Sequence, residues 1–266
     1  MFNFFKYPKP SKIGAEFYIS YKELFPGQSR YSRLNVKEKV NKAIRNEAAV
    51  WDKKNKVWIY NRHHHTSIFS RNKAFPVVVA PFGYMIVDGH HDVLSSIALG
   101  AEMIPIRIIA NLHHLTEEQF WKTAETKGWA YMHALDGKTR TLPPKKFEDL
   151  VDDPNRYFAT ITARKYFSSG DGTYTSDGAD YPLWLKINKD IPFIELMIAD
   201  ALSRAGYHYD AETMKNKPND IEIEIARKIL LAASIPNLYV VPFRTYYENI
   251  DVEALDRNTK LQAKTF

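Results

Sequence analysis

The sequence contains no cysteine. That excludes a disulfide framework, a thiolate zinc site and a cysteine nucleophile. It also lacks any apolar run near the roughly 18 residues that a membrane helix needs. The longest, such as residues 104–109, are strand-sized. The opening MFNFFKYPKPSK has no uninterrupted apolar core, because Lys6, Pro8 and Pro10 follow too soon for a signal peptide. The chain therefore reads as soluble and cytoplasmic, with no membrane partner. No internal repeat and no low-complexity tract is present, and nothing in the chain fixes an oligomeric state.

What is present is a foldable composition. The chain has 266 residues, 45% of them apolar, which is enough for a real core and excludes global disorder. The formal net charge is +6. The basic residues are scattered, as in Lys37, Lys39, Lys42 and Arg45, or Lys138, Arg140, Lys145 and Lys146. A modest basic balance suits phosphate ligands or weak nucleic-acid contact.

Along the chain, residues 17–24 alternate loosely and predict a strand ending at the turn Pro26-Gly27. Asn35 is expected to cap a helix, with Glu38 returning the bond. Residues 57–60 predict a strand, followed by His63, His64 and His65. The β-branched run of residues 76–80 predicts a buried strand. Pro81-Phe82-Gly83 turns the chain into a second strand over 84–87. A helix over 90–99 should stop at Gly100, and residues 104–109 form the next strand. Thr116 and Gln119 form a capping box. Asp136-Gly137 marks a turn, and Pro143-Pro144 is expected to start a short helix. Asp153 caps a helix with Pro154 as its first residue. Residues 168–180, rich in Gly, Ser and Asp, form a candidate mobile loop and lid. Asp190 and Asp220 are expected to cap two later helices.

The fold class expected is α+β. A small mixed-sheet core over 1–112 is followed by a mainly helical half, divided into 113–210 and an extension over 211–266. A core of alternating strand and helix is a small α/β unit.

The stretch Ile86-Val87-Asp88-Gly89-His90-His91-Asp92 is the expected functional centre. After a strand, Gly89 lets the backbone turn sharply. The amides of His90, His91 and Asp92 then sit in the first turn of a helix. They have no intrahelical acceptors there, and the positive end of the helix dipole lies behind them. Such a turn holds a phosphate with backbone alone. His90 and His91 add donors or an acid-base group. Asp88 is a candidate to orient a histidine, to act as base or to ligate a metal. Asp92 favours the helix but works against an anion. The bland alternative is a common strand–turn–helix in which Asp88 is only a cap.

Residues 76–109, PVVVAPFGYMIVDGHHDVLSSIALGAEMIPIRII, resemble the ParB/sulfiredoxin superfamily. The chain as a whole is most similar to its ParB-like nuclease branch. Supporting blocks are Tyr21-KELFPGQ with Val36-Lys37-Glu38-Lys39, then Gln119-Phe120-Trp121 with Lys127-Gly128-Trp129. Further on come Asp152-Asp153-Pro154-Asn155-Arg156 with Arg164, and Ile194-Glu195-Leu196 with Asp200 and Arg204. They fall in order over about residues 15–210. Superfamily members bind nucleotide phosphates at this turn. The resemblance implies that Gly89, His90 and His91 contact phosphate here. Two departures stand out: there is no cysteine, so sulfiredoxin chemistry is excluded, and Asp92 stands where relatives often place arginine. Charge compensation is then expected from Arg156 and Arg164, eight apart on one helix and so on nearly one face.

Glu195 lies on the apolar side of its helix, where a lone charge is costly, so it is either partnered or a general base. His63 and His65 would share one face of a strand as metal ligands, but no third ligand is apparent. His113 and His114 read as loop, and Trp121 and Trp129 as core. The first functional reading is an enzyme of phosphoryl transfer or hydrolysis. It would bind ATP or another nucleotide with Mg²⁺, or a phosphorylated small molecule. His90, His91, Asp88 and Glu195 are its candidate catalytic residues. The alternative is a DNA-associated nuclease or partition-type binding protein, although no HNH pattern or helix-turn-helix is evident. A third is an anion-binding core without turnover.

Overall fold

The computed structural model describes residues 12–45, 49–54, 57–60, 74–166, 185–187, 192–210, 220–233 and 238–240. Along the chain run β1 (Glu16–Ser20), a 3-10 turn at Tyr21–Glu23, β2 (Leu24–Phe25), β3 (Arg30–Tyr31) and α1 (Arg33–Arg45). Next come β4 (Ala49–Asp52), β5 (Val57–Tyr60), β6 (Phe75–Ala80), β7 (Gly83–Ile86), α2 (His90–Ala98), β8 (Met103–Asn111) and α3 (Glu117–Thr126). A 3-10 turn at Phe147–Asp149 precedes β9 (Val151–Asp152), α4 (Pro154–Tyr166), β10 (Leu185–Ile187), α5 (Ile194–Arg204), α6 (Asp220–Ala233) and β11 (Leu238–Val240). The chain divides into two compact units, Met1–Met132 with Arg140–Asp152, and His133–Thr139 with Asp153–Phe266.

The first unit is built on a mixed five-stranded sheet in the order β1-β8-β6-β7-β2. β6 and β7 form a tight antiparallel hairpin, whereas β6 and β8 run parallel. Parallel neighbours need a crossover, and α2 supplies it. Alternation along β6 assigns the two faces. Val77 and Val79 pack with Ile86, Ile106, Ile108 and Val93 of α2. Val78 and Ala80 pack with Met85 and with Phe120, Trp121 and Ala124 of α3. Both faces are covered, which explains the unbroken apolar run Val77-Val78-Val79. This is the expected α+β class, a mixed sheet with helices.

Local signals set several boundaries. Both capping-box bonds of α3 form, Gln119 N–H to Thr116 Oγ1 at 3.2 Å and Thr116 N–H to Gln119 Oε1 at 3.1 Å. The Arg156 amide donates to Asp153 Oδ1 at 3.2 Å, so Asp153 caps α4 as expected. Gly100 leaves α2 at φ 90.

Other boundaries differ from expectation. α1 starts before Asn35, because Ser32 Oγ takes the Asn35 amide at 3.1 Å and Asp152 Oδ1 takes the Arg33 amide at 2.7 Å. Asn35 is buried inside the helix. Pro143-Pro144 starts no helix; the 3-10 turn begins at Phe147, whose ring is buried. α5 begins at Ile194, after Phe193 in the left-handed region at φ 57. Asp190 lies outside the described residues, as does the loop over 168–180.

Among its described residues the second unit is mainly helical, with β10 and β11 paired antiparallel. α4 contributes Tyr157, Phe158 and Ala159 to its core, α5 contributes Ile198, Ala199 and Leu202, and α6 contributes Ala226 and Leu230. Asn155 uses its whole amide group. Its Nδ2 donates to Ser203 Oγ at 2.9 Å and to the Tyr207 carbonyl at 2.7 Å, and its Oδ1 accepts the Tyr209 amide at 2.9 Å.

Candidate functional site

β7 leads through Val87 and Asp88 to Gly89, which sits at φ 91, ψ 19 as the residue before α2. Only glycine enters this region without cost. A side chain there would also drive a Cβ to 2.5 Å from the Phe75 ring. Gly89 at the N-cap has no side chain with which to cap α2. The exposed Asp88 carboxylate instead accepts the amide of Gly89 itself at 2.7 Å. The N-cap position of α2 therefore offers backbone and no side chain.

The two histidines do something that their sequence position did not suggest. His90 is buried, and its Nε2 accepts the Gly27 amide at 2.9 Å. His91 Nε2 accepts the Ser32 amide at 2.9 Å. Both rings thus fasten the segment between Pro26 and Arg33 to the start of α2. Gly27 is required at its position, since a Cβ there would lie 2.6 Å from the Ile86 carbonyl oxygen and 2.8 Å from that of Trp129. The other side of the segment is also held. The Tyr131 amide donates to Gly27 O at 2.8 Å, and the Val151 amide to Ser29 O at 3.1 Å.

This segment is unusually polar for its burial. Gln28, Ser29, Arg30 and Ser32 are all buried, and Arg30 is only 1% exposed. Gln28 Nε2 donates to the Arg30 carbonyl at 2.6 Å. The Arg30 guanidinium lies 6.0 Å from the Tyr131 ring centroid, within cation–π range. Beside it, Tyr31 has its phenol pushed above the ordinary value, first by burial and then by the Asp152 carboxylate.

Asp92, the acid in the first turn of α2, is paired. Lys39 Nζ from α1 reaches its Oδ1 at 2.5 Å, with the two side chains 15% and 10% exposed. The negative charge that would oppose an anion is thereby offset within the unit. Ser95 and Ser96 donate back to the carbonyls of His91 at 2.6 Å and Asp92 at 2.8 Å.

The remaining candidates lie in the second unit. Arg156 forms a tight ion pair with Glu195, and its Nη1 donates to Thr160 Oγ1 at 2.5 Å. The acid on the apolar side of α5 is therefore partnered. Arg164 falls within α4, and its side chain lies outside the described residues. His133 Nδ1 meets the buried Asp200 carboxylate at 2.6 Å. Arg204 Nη1 donates to the Gly137 carbonyl at 2.9 Å, closing the 134–139 turn onto α5. No group of three or more histidines and acids among the described residues is placed to hold a metal ion. His63, His64 and His65 lie outside them. Among the described residues no helix is long and apolar enough to cross a membrane.

The model of the ParB-like nuclease family matches residues 17–177, more than half of the chain. The chain belongs to the ParB-like nuclease family. No curated protein matches it. The fold of this ParB-like chain is similar to that of protein Atu1540 from Agrobacterium tumefaciens. The two share 22% identity at a TM-score of 0.54, over 84% of this chain and 92% of that one. A free serine kinase in complex with AMP is matched more remotely, with 19% identity and a TM-score of 0.25. That match covers 42% of this chain and 36% of the kinase. SbnI from Staphylococcus aureus is matched at 13% identity and a TM-score of 0.24, over 94% and 97%.

Sequence reasoning found the turn of the ParB-like unit but missed Gly27, Arg30, Ser32 and Lys39. A signal for the first two was available. The run Pro26-Gly27-Gln28-Ser29-Arg30 is short of apolar residues beside a predicted strand, so burial there would require polar partners.

Proposed function

We propose that the first unit binds a phosphate group of a nucleotide at the first turn of α2. The observation that carries this reading is the left-handed Gly89, which sends β7 straight into a helix from an N-cap position that carries no side chain. Amides at a helix start attract anions through their aligned N–H groups and the helix dipole. Family membership supports the same end of the helix as the working end. In this reading the backbone at His90 and His91 holds the phosphate, at the turn that Gly89 makes. The imidazoles hold the wall formed by residues 26–33, and Lys39 cancels the charge of Asp92. A nucleotide carrying Mg²⁺, such as ATP, is the ligand class. Phosphoryl transfer or hydrolysis is the reaction, which rests mainly on positioning and charge stabilisation.

A second reading has its own support, namely the nuclease family and a net charge of +6. Here the phosphate belongs to a nucleic-acid backbone. Such binding weakens steeply with salt.

Amide spectra of ¹⁵N-labelled protein separate the two. ATP, CTP and GTP would be titrated with and without Mg²⁺, and a short duplex DNA at two salt concentrations. The first reading expects the amides of His90, His91 and Asp92 to shift with one nucleotide. It also expects a stabilisation of about 2.7 kcal/mol at a hundredfold excess over Kd. Salt-sensitive shifts with duplex alone would transfer the site to nucleic acid. No shift of these amides with either ligand would end the phosphate reading.

A further inference from the structure

We propose that His90 and His91 form a double latch that holds the segment between Pro26 and Arg33 onto α2 only while both imidazoles are neutral, and that acid opens it. The inference does not depend on what the first turn of α2 binds. It rests on two hydrogen bonds of the same unusual kind. In each, a backbone amide donates to a histidine Nε2, from Gly27 to His90 and from Ser32 to His91, both at 2.9 Å. An imidazole nitrogen that accepts a hydrogen bond carries no proton. Each ring is therefore held as the tautomer with its proton on Nδ1, or it does not make the bond. Adding a proton to Nε2 turns an acceptor into a donor that faces another donor. The bond is then lost, and an N–H is left opposed in a buried place.

The spacing makes the pair act together. The histidines are adjacent at the start of α2, and their two amides bracket the segment that carries buried Gln28, Ser29 and Arg30. The opposite edge of that segment is held by bonds that do not titrate, from the Tyr131 amide to Gly27 O and from the Val151 amide to Ser29 O. Acid thus uncouples α2 from the segment and leaves the segment attached to its other neighbours.

The elements packed at the start of α2 carry charged groups of their own. On α1 and α2, Lys39 and Asp92 are committed to each other. Arg33, next to Ser32, is paired with Asp152 of β9. The segment itself brings a cation, Arg30, and the phenol of Tyr31. From the 3-10 turn, Phe147 faces His90 with ring centroids 6.2 Å apart, while Glu148 and Asp149 of that turn are exposed.

Three measurements test this. The first is the ring ¹⁵N spectrum of the wild type at neutral pH, where both rings should show an unprotonated Nε2. The second is amide exchange at Gly27 and Ser32 between about pH 8 and about pH 5, the range in which histidine ordinarily titrates, corrected for intrinsic rates. Protection at both amides should fall by about tenfold or more toward acid. The third is the His90→Gln, His91→Gln double variant. Its amide oxygens can accept the same bonds but do not titrate, so protection there should be flat with pH. If the double variant does not fold, His91→Gln alone should lessen the fall at Ser32 and leave Gly27 pH-dependent. A protonated Nε2 at neutral pH would overturn the proposal. So would pH-independent protection in the wild type, or the same fall in the glutamine variants.

Discussion

Replacing Gly27 by alanine isolates one physical effect, the close approach of a polar segment to two backbone carbonyls. The new Cβ would meet Ile86 O at 2.6 Å and Trp129 O at 2.8 Å, both well inside van der Waals contact. Neither oxygen belongs to a flexible side chain, so β7 or the 129–131 stretch must move. Forcing one extra carbon into a packed interior costs about 1–3 kcal/mol. The shift would also strain the Gly27–His90 bond, and a buried donor left without its acceptor costs about 1–3 kcal/mol more. The expected total is about 2–6 kcal/mol. A single step of this size is a large part of the stability of an ordinary domain, about 5–15 kcal/mol. Gly100→Ala supplies the control. Its φ is +90 but nothing lies within 4 Å, so it carries only left-handed strain, about 1–2 kcal/mol. Gly89→Ala combines strain at φ +91 with a 2.5 Å contact to Phe75, whose ring can partly yield. Thermal melting followed by circular dichroism should therefore rank Gly27→Ala below Gly100→Ala. The Gly27→Ala loss should be roughly 5–20 °C. A Gly27→Ala protein that melts within about 1 °C of the wild type, or above Gly100→Ala, would refute the close approach.

Three further results are expected. Lys39→Met should cost about 2–4 kcal/mol in urea unfolding, somewhat less than a fully buried pair because both side chains keep some exposure. Lys39→Met with Asp92→Leu should recover most of it; additive losses would mean that the two groups do not interact. Asp136 is held at about 2, first by the Thr139 hydroxyl and then by the amides of Lys138 and Thr139. Its folded value lies below the unfolded one, so its contribution is present above the ordinary carboxylate range and is lost as pH falls toward about 2. Thr139→Val should raise that midpoint, read from the carboxyl ¹³C shift, and an unchanged midpoint would count against the hydroxyl as the main cause. Phe120→Ala should cost about 3–5 kcal/mol, because the ring is buried against Phe82 and Trp121. A loss below about 1 kcal/mol would mean that α3 is not anchored there.

Much of the first unit was legible because its signals are local. The run Val77-Val78-Val79 announced a strand covered on both faces, and Thr116 with Gln119 announced the start of α3. Gly89 announced a turn that other residues enter only with strain, and in the second unit Asp153-Pro154 announced the start of α4. The misplaced start of α1 has a tertiary cause. Asn35 was a reasonable cap by residue type, but Ser32 and the distant Asp152 compete for the same helix start, and the start moved three residues earlier.

The sequence by itself determined the main strands and helices of the first unit and the glycine turn before α2, because backbone preference and side-chain period act over a few residues. The tertiary structure alone decided what each polar group meets. His90 and His91 find amides 63 and 59 residues away, Lys39 finds Asp92 across 53, and Arg156 finds Glu195 on another helix. Periodicity tells which face of an element is buried. It carries no information about which distant donor or charge will be pressed against that face, and here that choice turned two apparent reactive histidines into acceptors for the backbone.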